Sequence, residues 1–176
     1  DNTGRLLWTV ELGEEVKSSI TQVDLFKNGK LQMAFNTDTR LVILDRKGRM
    51  VEGFPIQLSD TASSEVAVMD YDRNKNYRFL LATRNGQLHN YDRDGNAVKG
   101  WKYKADDEAI VGRMKHFTLR KKDYITTIGE NGSLRFLERN GKLRFGGKDL
   151  SITSYDEGPY HILPGKKIRE SRILYQ

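Results

Sequence analysis

Four side chains with oxygen donors alternate along one short segment, as the ligands of a calcium loop do. They are Asp70, Asp72, Asn74 and Asn76. Calcium favours such carboxylate and amide oxygens, but Lys75 stands where the sharp turn needs glycine and Leu81 where a bidentate glutamate should follow. The segment 70–76 therefore has two interpretations: a plain hairpin turn, which these departures favour, and a calcium site.

The other reactive side chains form no catalytic pattern. The sequence has no cysteine, so thiolate nucleophiles, thiolate metal sites and disulfides are excluded together. His89, His116 and His161 lie far apart in the sequence, whereas a zinc site or a triad needs side chains that converge. Neither a Gly-x-Ser-x-Gly motif nor a phosphate-binding glycine loop occurs. We expect a protein that is not an enzyme and has no cofactor, with calcium as the alternative.

Charge gives a second kind of candidate site. Lys and Arg number 30 against 24 Asp and Glu, a net charge of +6, which either serves solubility or favours acidic partners. Many of these cations fall in expected turns, and we predict that they form one basic face for binding. They are Lys27, Lys30, Arg46, Lys47, Arg73, Lys75, Arg93, Arg120, Lys121, Lys122 and Arg139, with Lys166 and Lys167 in the last part of the chain.

Acidic residues gather in different places, the connectors between successive groups of strands. They are Glu14, Glu15, Asp60, Glu65, Asp106, Asp107, Glu108, Asp156 and Glu157. If these connectors all emerge at one side of the fold, the protein has an acidic face opposite the basic one. The alternative is that turns and connectors are charged simply because they are exposed.

A recurring phrase indicates the elements that would position these charges. An acidic residue, two further residues and a glycine recur with the glycine at 4, 48, 95 and 141, which are 44, 47 and 46 residues apart. A fixed period in this range indicates a repeat architecture, and for repeats rich in strands the leading candidate is the blade of a β-propeller. We call this phrase the Asp-x-x-Gly turn, with Glu138 as the acidic residue of the fourth copy.

Each unit can be divided into the same short strands. An aromatic strand follows each Asp-x-x-Gly turn, and three further strands follow it, with hairpin signals such as Asn85-Gly86 between them. The aromatic residues are Trp8, Phe54, Trp101 and Phe145. The other strands are predicted at 16–25, 31–35 and 41–44, at 64–70, 77–83 and 87–91, and at 110–119, 124–128 and 133–137.

The predicted fold is therefore all-β: a β-propeller of four-stranded antiparallel blades in a single domain, 1–176, or a part of a larger ring. The four units span about 1–44, 45–91, 92–137 and 138–176. Residues 171–176 resemble the strand that elsewhere precedes an Asp-x-x-Gly turn. Pairing of that strand with residues 6–12 would close the ring, because closure removes exposed sheet edges.

The first unit resembles a known repeat. The segment from Asp1 to Leu12, with Gly4 and Trp8, resembles the repeat of pyrroloquinoline-quinone-type propellers, a WD40-like architecture, although the later units match it less well. The run 53–55 is similar to the integrin-type FG-GAP repeat, and the whole chain to uncharacterised Bacteroidetes-type propeller proteins of the cell envelope. The resemblance implies the fold and a location in the bacterial periplasm or on the outer surface, with the cytoplasm as the alternative.

The expected function is a non-catalytic protein-interaction scaffold that presents an acidic and a basic face. A protein is the expected partner, an anionic surface or polymer is the next candidate, and nucleic acid is disfavoured because no aromatic stacking pattern accompanies the basic turns. The alternatives are a ligand- or calcium-binding propeller and a structural segment of a larger envelope protein. No stretch of the sequence is long and apolar enough for a membrane helix.

Overall fold

The computed structural model describes residues 3–152, 160–163, 165–166, 170 and 172–175. Within them the protein is all-β: thirteen strands pair in antiparallel fashion, and the described residues contain no α-helix. The described residues include no helix that is long and apolar enough to cross a membrane.

Four sheets follow one another along the chain, and each is a simple meander. The first contains β1 (Thr21–Val23), β2 (Gln32–Asn36), β3 (Arg40–Leu44) and β4 (Ile56–Gln57). The second contains β5 (Ala67–Met69), β6 (Arg78–Ala82) and β7 (Leu88–Tyr91). The third contains β8 (Ile110–Leu119), β9 (Lys122–Gly129), β10 (Ser133–Leu137) and β11 (Leu143–Ser151). The last two strands, β12 (Tyr160–Leu163) and β13 (Arg172–Tyr175), form the fourth.

The strands agree with the sequence pattern where apolar residues alternate and a hairpin signal follows. Both β8 and β10 have the predicted bounds, and β2, β3, β6, β7 and β9 lie within about two residues of theirs, whereas β5 begins three residues later than predicted. The strand predicted at 16–25 is shorter, since only β1 pairs there.

The aromatic strands are present only in part, since a strand follows the Asp-x-x-Gly turn in two of the four units, as β4 and β11. Among the aromatic residues only Phe145 lies in a strand, β11, whereas Trp8, Phe54 and Trp101 lie outside strands. Trp8 instead packs against Gly48 of the next Asp-x-x-Gly turn, and Trp101 packs against Gly141 in the same way. Trp8 and Trp101 therefore join successive units through contacts between a ring and a glycine.

The first three sheets stack face to face around two apolar cores. Val23, Ile43 and Phe79 belong to the core between the first and second sheets, and Leu80 and Ile125 to the core between the second and third. A parallel bridge joins Ser64, just before β5, to Gly112 in β8. The first strands of the second and third sheets therefore run in the same direction.

The fourth unit differs from the predicted arrangement. Its first strand, β11, pairs with β10 and so completes the third sheet. The strand predicted at 171–176 is present as β13, but it pairs with β12. Pairing between β13 and residues 6–12 does not occur among the described residues, and none of the sheets closes into a ring.

Candidate binding surface at the hairpin-turn end

In each meander sheet, the hairpin after the first strand and the Asp-x-x-Gly turn after the third strand lie at the same end, because successive strands are antiparallel. We call this the turn end. It comprises the hairpins 24–31, 70–77 and 119–122 and the Asp-x-x-Gly turns 45–48, 92–95 and 138–141. The opposite, connector end comprises the turns 37–40, 83–87 and 129–133 and the connectors 13–19, 59–65 and 105–109. All eleven cations of the predicted basic face lie at the turn end.

The turn-end hairpins hold cations in an unfavourable backbone conformation. In the described residues, every non-glycine residue with positive φ is a lysine or arginine of these hairpins. They are Lys27 (φ 54°), Arg73 (φ 52°), Lys75 (φ 63°), Arg120 (φ 51°) and Lys121 (φ 62°). A left-handed conformation costs an L-residue about 1–2 kcal/mol, which glycine avoids and asparagine reduces.

The third hairpin shows this most clearly. Leu119 pairs with Lys122, so Arg120 and Lys121 form a two-residue turn with both φ values positive. Such a turn strongly favours Asn-Gly, a pair that the chain uses at the connector end, in Asn85-Gly86 and 131–132.

Some of the eleven cations form ion pairs at this end. Lys75 Nζ lies 2.5 Å from Asp24 Oδ2, and this contact joins the first two hairpins. The hydrogen bond from Lys75 lowers the pKa of Asp24, and Asp24 in turn raises the pKa of Lys75. Arg139 contacts Asp123 at 2.6 Å and Asp72 at 2.9 Å. These pairs hold neighbouring units together.

Other cations of the turn end are exposed, and their side chains have no partner among the residues that the structure describes. They are Lys30, Arg46, Lys47, Arg73, Lys121 and Lys122. Arg93 is 3.6 Å from Asp94, and Lys27 Nζ donates to Asn76 Oδ1 at 2.9 Å. Arg120 Nε donates to the carbonyl of Lys166. The surface thus carries several charges that are available to a partner.

The four candidate calcium ligands have partners of their own. Asp70 accepts the backbone N–H groups of Asn74 (3.0 Å) and Lys75 (2.9 Å), and Asn74 accepts that of Asn76. Asp72 pairs with Arg139, as described above. In the first hairpin Asp24 accepts the N–H groups of residues 28 and 29 in the same way as Asp70. This repetition supports the hairpin interpretation of the segment, and no group of three or more acidic or histidine ligands occurs in the described residues.

A polar network at the third hairpin was not predicted from the sequence. His116 Nε2 lies 2.7 Å from Asp123 Oδ1, and Thr118 Oγ1 donates to the same oxygen at 3.0 Å. Burial raises the pKa of Asp123, but the hydrogen bonds from His116, Thr118 and Arg139 lower it overall. The register of β8 and β9 places Thr118 opposite Asp123, so the contact depends on strand pairing that no sequence motif indicates. Of the other histidines, His89 contacts Thr83, and the side chain of His161 lies outside the described residues.

The acidic residues of the connector end have a structural role that repeats from unit to unit. In each of the first three sheets a connector carboxylate accepts the backbone N–H of a turn residue of that sheet. The pairs are Glu14 with Thr39 (3.1 Å), Asp60 with Asn85 (2.9 Å) and Glu108 with Asn131 (2.9 Å). Hydrogen bonds from Thr37 and Thr39 lower the pKa of Glu14 to about 2.

One connector also neutralises a buried cation. Arg135, only 5% exposed, lies 2.5 Å from Glu108 and 2.7 Å from Asp106. Glu14 likewise pairs with Arg40 at 3.1 Å. These carboxylates are therefore used within the fold. Asp156 and Glu157, the last acidic pair, lie outside the described residues, as does Lys167.

Neither a protein-family model nor a curated protein matches the sequence. Among solved structures, the chain is similar to the crystal structure of the computationally designed Ika4 protein, with 14% identity, a TM-score of 0.53 and 98% of each chain covered. It is less similar to BBS1N in complex with ARL6DN, with 13% identity and a TM-score of 0.43 over 91% of this chain and 62% of that chain. At such low identity the first similarity concerns the fold alone.

Proposed function

We propose that this protein is a non-catalytic interaction scaffold, a β-propeller or an arc of one, whose turn end binds an acidic protein partner. The propeller is supported by repeated meander sheets stacked face to face and by the parallel bridge between Ser64 and Gly112. A location in the bacterial periplasm or on the outer surface stays a prediction from the resemblance of the first unit.

The observation that carries the binding role is the five cations with positive φ at the turn end, of which Arg73 and Lys121 have no side-chain partner in the described residues. Backbone strain at non-glycine positions concentrates where function retains it, and here every such residue in the described chain is a lysine or an arginine. Glu14, Asp60 and Glu108 at the connector end are engaged within the fold, whereas Lys121 and Arg73 extend into solvent. An acidic partner therefore fits the turn end best.

Poly-L-glutamate immobilised on a sensor surface is a suitable probe of the intact chain. We expect binding that weakens steeply as salt rises, and Lys121→Gln should reduce affinity about two- to fivefold, the effect of one exposed charge pair. Arg84→Gln is the matched control, because Arg84 is an exposed cation in the turn 83–87 at the connector end.

Equal losses of affinity for poly-L-glutamate in the two variants would contradict the proposal, because binding would then depend on net charge alone. Tighter binding to phosphatidylserine vesicles or to dextran sulfate than to poly-L-glutamate would also contradict it, since the partner would then be an anionic surface or polymer.

A further inference from the structure

The outer side of the first sheet lacks a contact that the other units make. A Cβ built on Gly48 would lie 2.7 Å from the Trp8 ring, and one on Gly141 would lie 2.9 Å from the Trp101 ring. Gly95 is approached as closely by the backbone of Gly53. Around Gly4, the first glycine of the series, no described atom lies within 4 Å of the corresponding position. The glycines of the three later Asp-x-x-Gly turns are thus covered by residues of the preceding unit, whereas no described residue covers Gly4.

The sheet beside Gly4 is also uncovered. Ile20 is 57% exposed, whereas Val66, at the equivalent place in the second sheet, is 1% exposed. Leu31 is 41% exposed, whereas its equivalent Tyr77 packs against the core between the first two sheets. A groove of about 460 Å³ runs along this side, lined among others by Leu6, Leu7, Leu31 and Met33. An apolar side of this kind marks an interaction surface.

Residues 6–12 lie on this side without a strand partner. Val10 and Leu12 pack against Phe35, Val42 and Leu44 of the first sheet. The segment follows an Asp-x-x-Gly turn, as β4 and β11 do, and both of those strands pair with the strand that precedes their turn. In the described residues no strand pairs with 6–12.

The fourth sheet is incomplete in the complementary way. Among the described residues it has only β12 and β13, and a two-stranded sheet alone is marginally stable in water. No other described strand pairs with the outer edge of β12 or of β13, and an unpaired strand edge favours pairing with another strand. The sequence of β13, Arg172–Tyr175, ends in tyrosine as β7 does, and β7 is a strand that precedes an Asp-x-x-Gly turn.

We propose that β13 of a second copy of this chain pairs with residues 6–12, so that its fourth sheet covers the first sheet. The exchange is reciprocal, and the two copies form a symmetric dimer in which each completes the sheet of the other. The new interface continues the face-to-face stacking already present between the first three sheets. The dimer extends to the first sheet the contacts that each later sheet makes with the unit before it. It does not depend on the binding of an acidic partner at the turn end.

The mass of the intact chain in solution, measured by light scattering over a range of concentrations, tests the dimer. We expect twice the mass of one chain, and Ile20→Glu should shift the protein to the monomer by placing a charge on the covered side. Leu143→Glu is the matched control, because Leu143 is 49% exposed on β11, away from this side. It should remain a dimer. A monomer at every concentration would overturn the proposal, as would equal effects of the two substitutions.

A second measurement identifies the strand that pairs. The chain has no cysteine, so Thr9→Cys and Leu174→Cys can be introduced together and joined with a short bismaleimide. We expect a covalent dimer on a denaturing gel, reduced in yield by Ile20→Glu. An internal link at the monomer mass would overturn the proposal, because the chain would then close on its own last strand. Absence of any link would overturn it too.

Discussion

The two ends of the sheets carry charges of opposite sign and use them differently. At the connector end Glu14, Asp60 and Glu108 accept backbone N–H groups of the neighbouring turns. At the turn end, lysine and arginine occupy left-handed positions, and side chains such as Lys121 and Arg73 have no partner in the described chain. The comparison indicates that the acidic charges stabilise the fold, whereas some of the basic charges are retained despite a cost to it.

The largest expected effect is at the connector end. Glu108→Ala should destabilise the protein by about 3 kcal/mol, because it removes an ion pair from the buried Arg135 and an acceptor from Ser133 and Asn131. Chemical denaturation measures the change. Glu130→Ala, an exposed residue of the same hairpin, should stay within about 0.5 kcal/mol of the wild type. Similar losses in both variants would contradict a special role for Glu108.

The next effect should appear in the first hairpin, at the position equivalent to Lys75. Gly29 has a φ of 74°, and no atom of the described residues lies within 4 Å of its Cβ position, so substitution there tests the backbone conformation. We expect Gly29→Lys and Gly29→Ala to lose about 1 kcal/mol each. Only the lysine should strengthen binding to poly-L-glutamate. If the alanine variant binds equally well, the added charge does not contribute.

A smaller effect of opposite sign is expected in the third hairpin. Lys121→Gly should stabilise the protein by about 0.5–1 kcal/mol, since glycine adopts the left-handed conformation without a steric penalty. Affinity for poly-L-glutamate should fall at the same time. Lys122→Gly removes an equal charge one residue later, in β9, where glycine should instead destabilise the strand. If both variants are stabilised, the positive φ of residue 121 does not explain the gain in stability.

The last and smallest predicted effect is a difference between Glu14→Gln and the wild type in how stability depends on pH. Because the pKa of Glu14 falls from 4.5 to about 2 in the folded protein, the unfolded state binds the proton first. Glu14 therefore stabilises the fold above about pH 4.5, and its contribution disappears as pH falls toward 2. Denaturation of Glu14→Gln should show a shallower loss of stability across this window than the wild type. Parallel pH profiles would contradict this role of Glu14.

The sequence predicted the strands and turns better than the contacts of the site. Patterns within a few residues, such as the apolar alternation of β10 or Asn85-Gly86, depend on backbone preferences that neighbouring residues determine. The ion pair of Lys75 with Asp24 joins residues of different hairpins, so no local pattern could indicate it. The oxygens at 70–76 resembled a calcium loop because turn-capping side chains and calcium ligands share the same chemistry.

The sequence by itself determined the repeat, the all-β character and the segregation of charge into turns and connectors. Each of these follows from local residue preferences and from a period that a single chain displays. Only the tertiary structure decided which charges are engaged and that Trp8 and Trp101 rest on a glycine of the next unit. It also decided that residues 6–12 and β13 do not pair with each other among the described residues. These outcomes depend on the packing of sheets whose residues are far apart in the sequence.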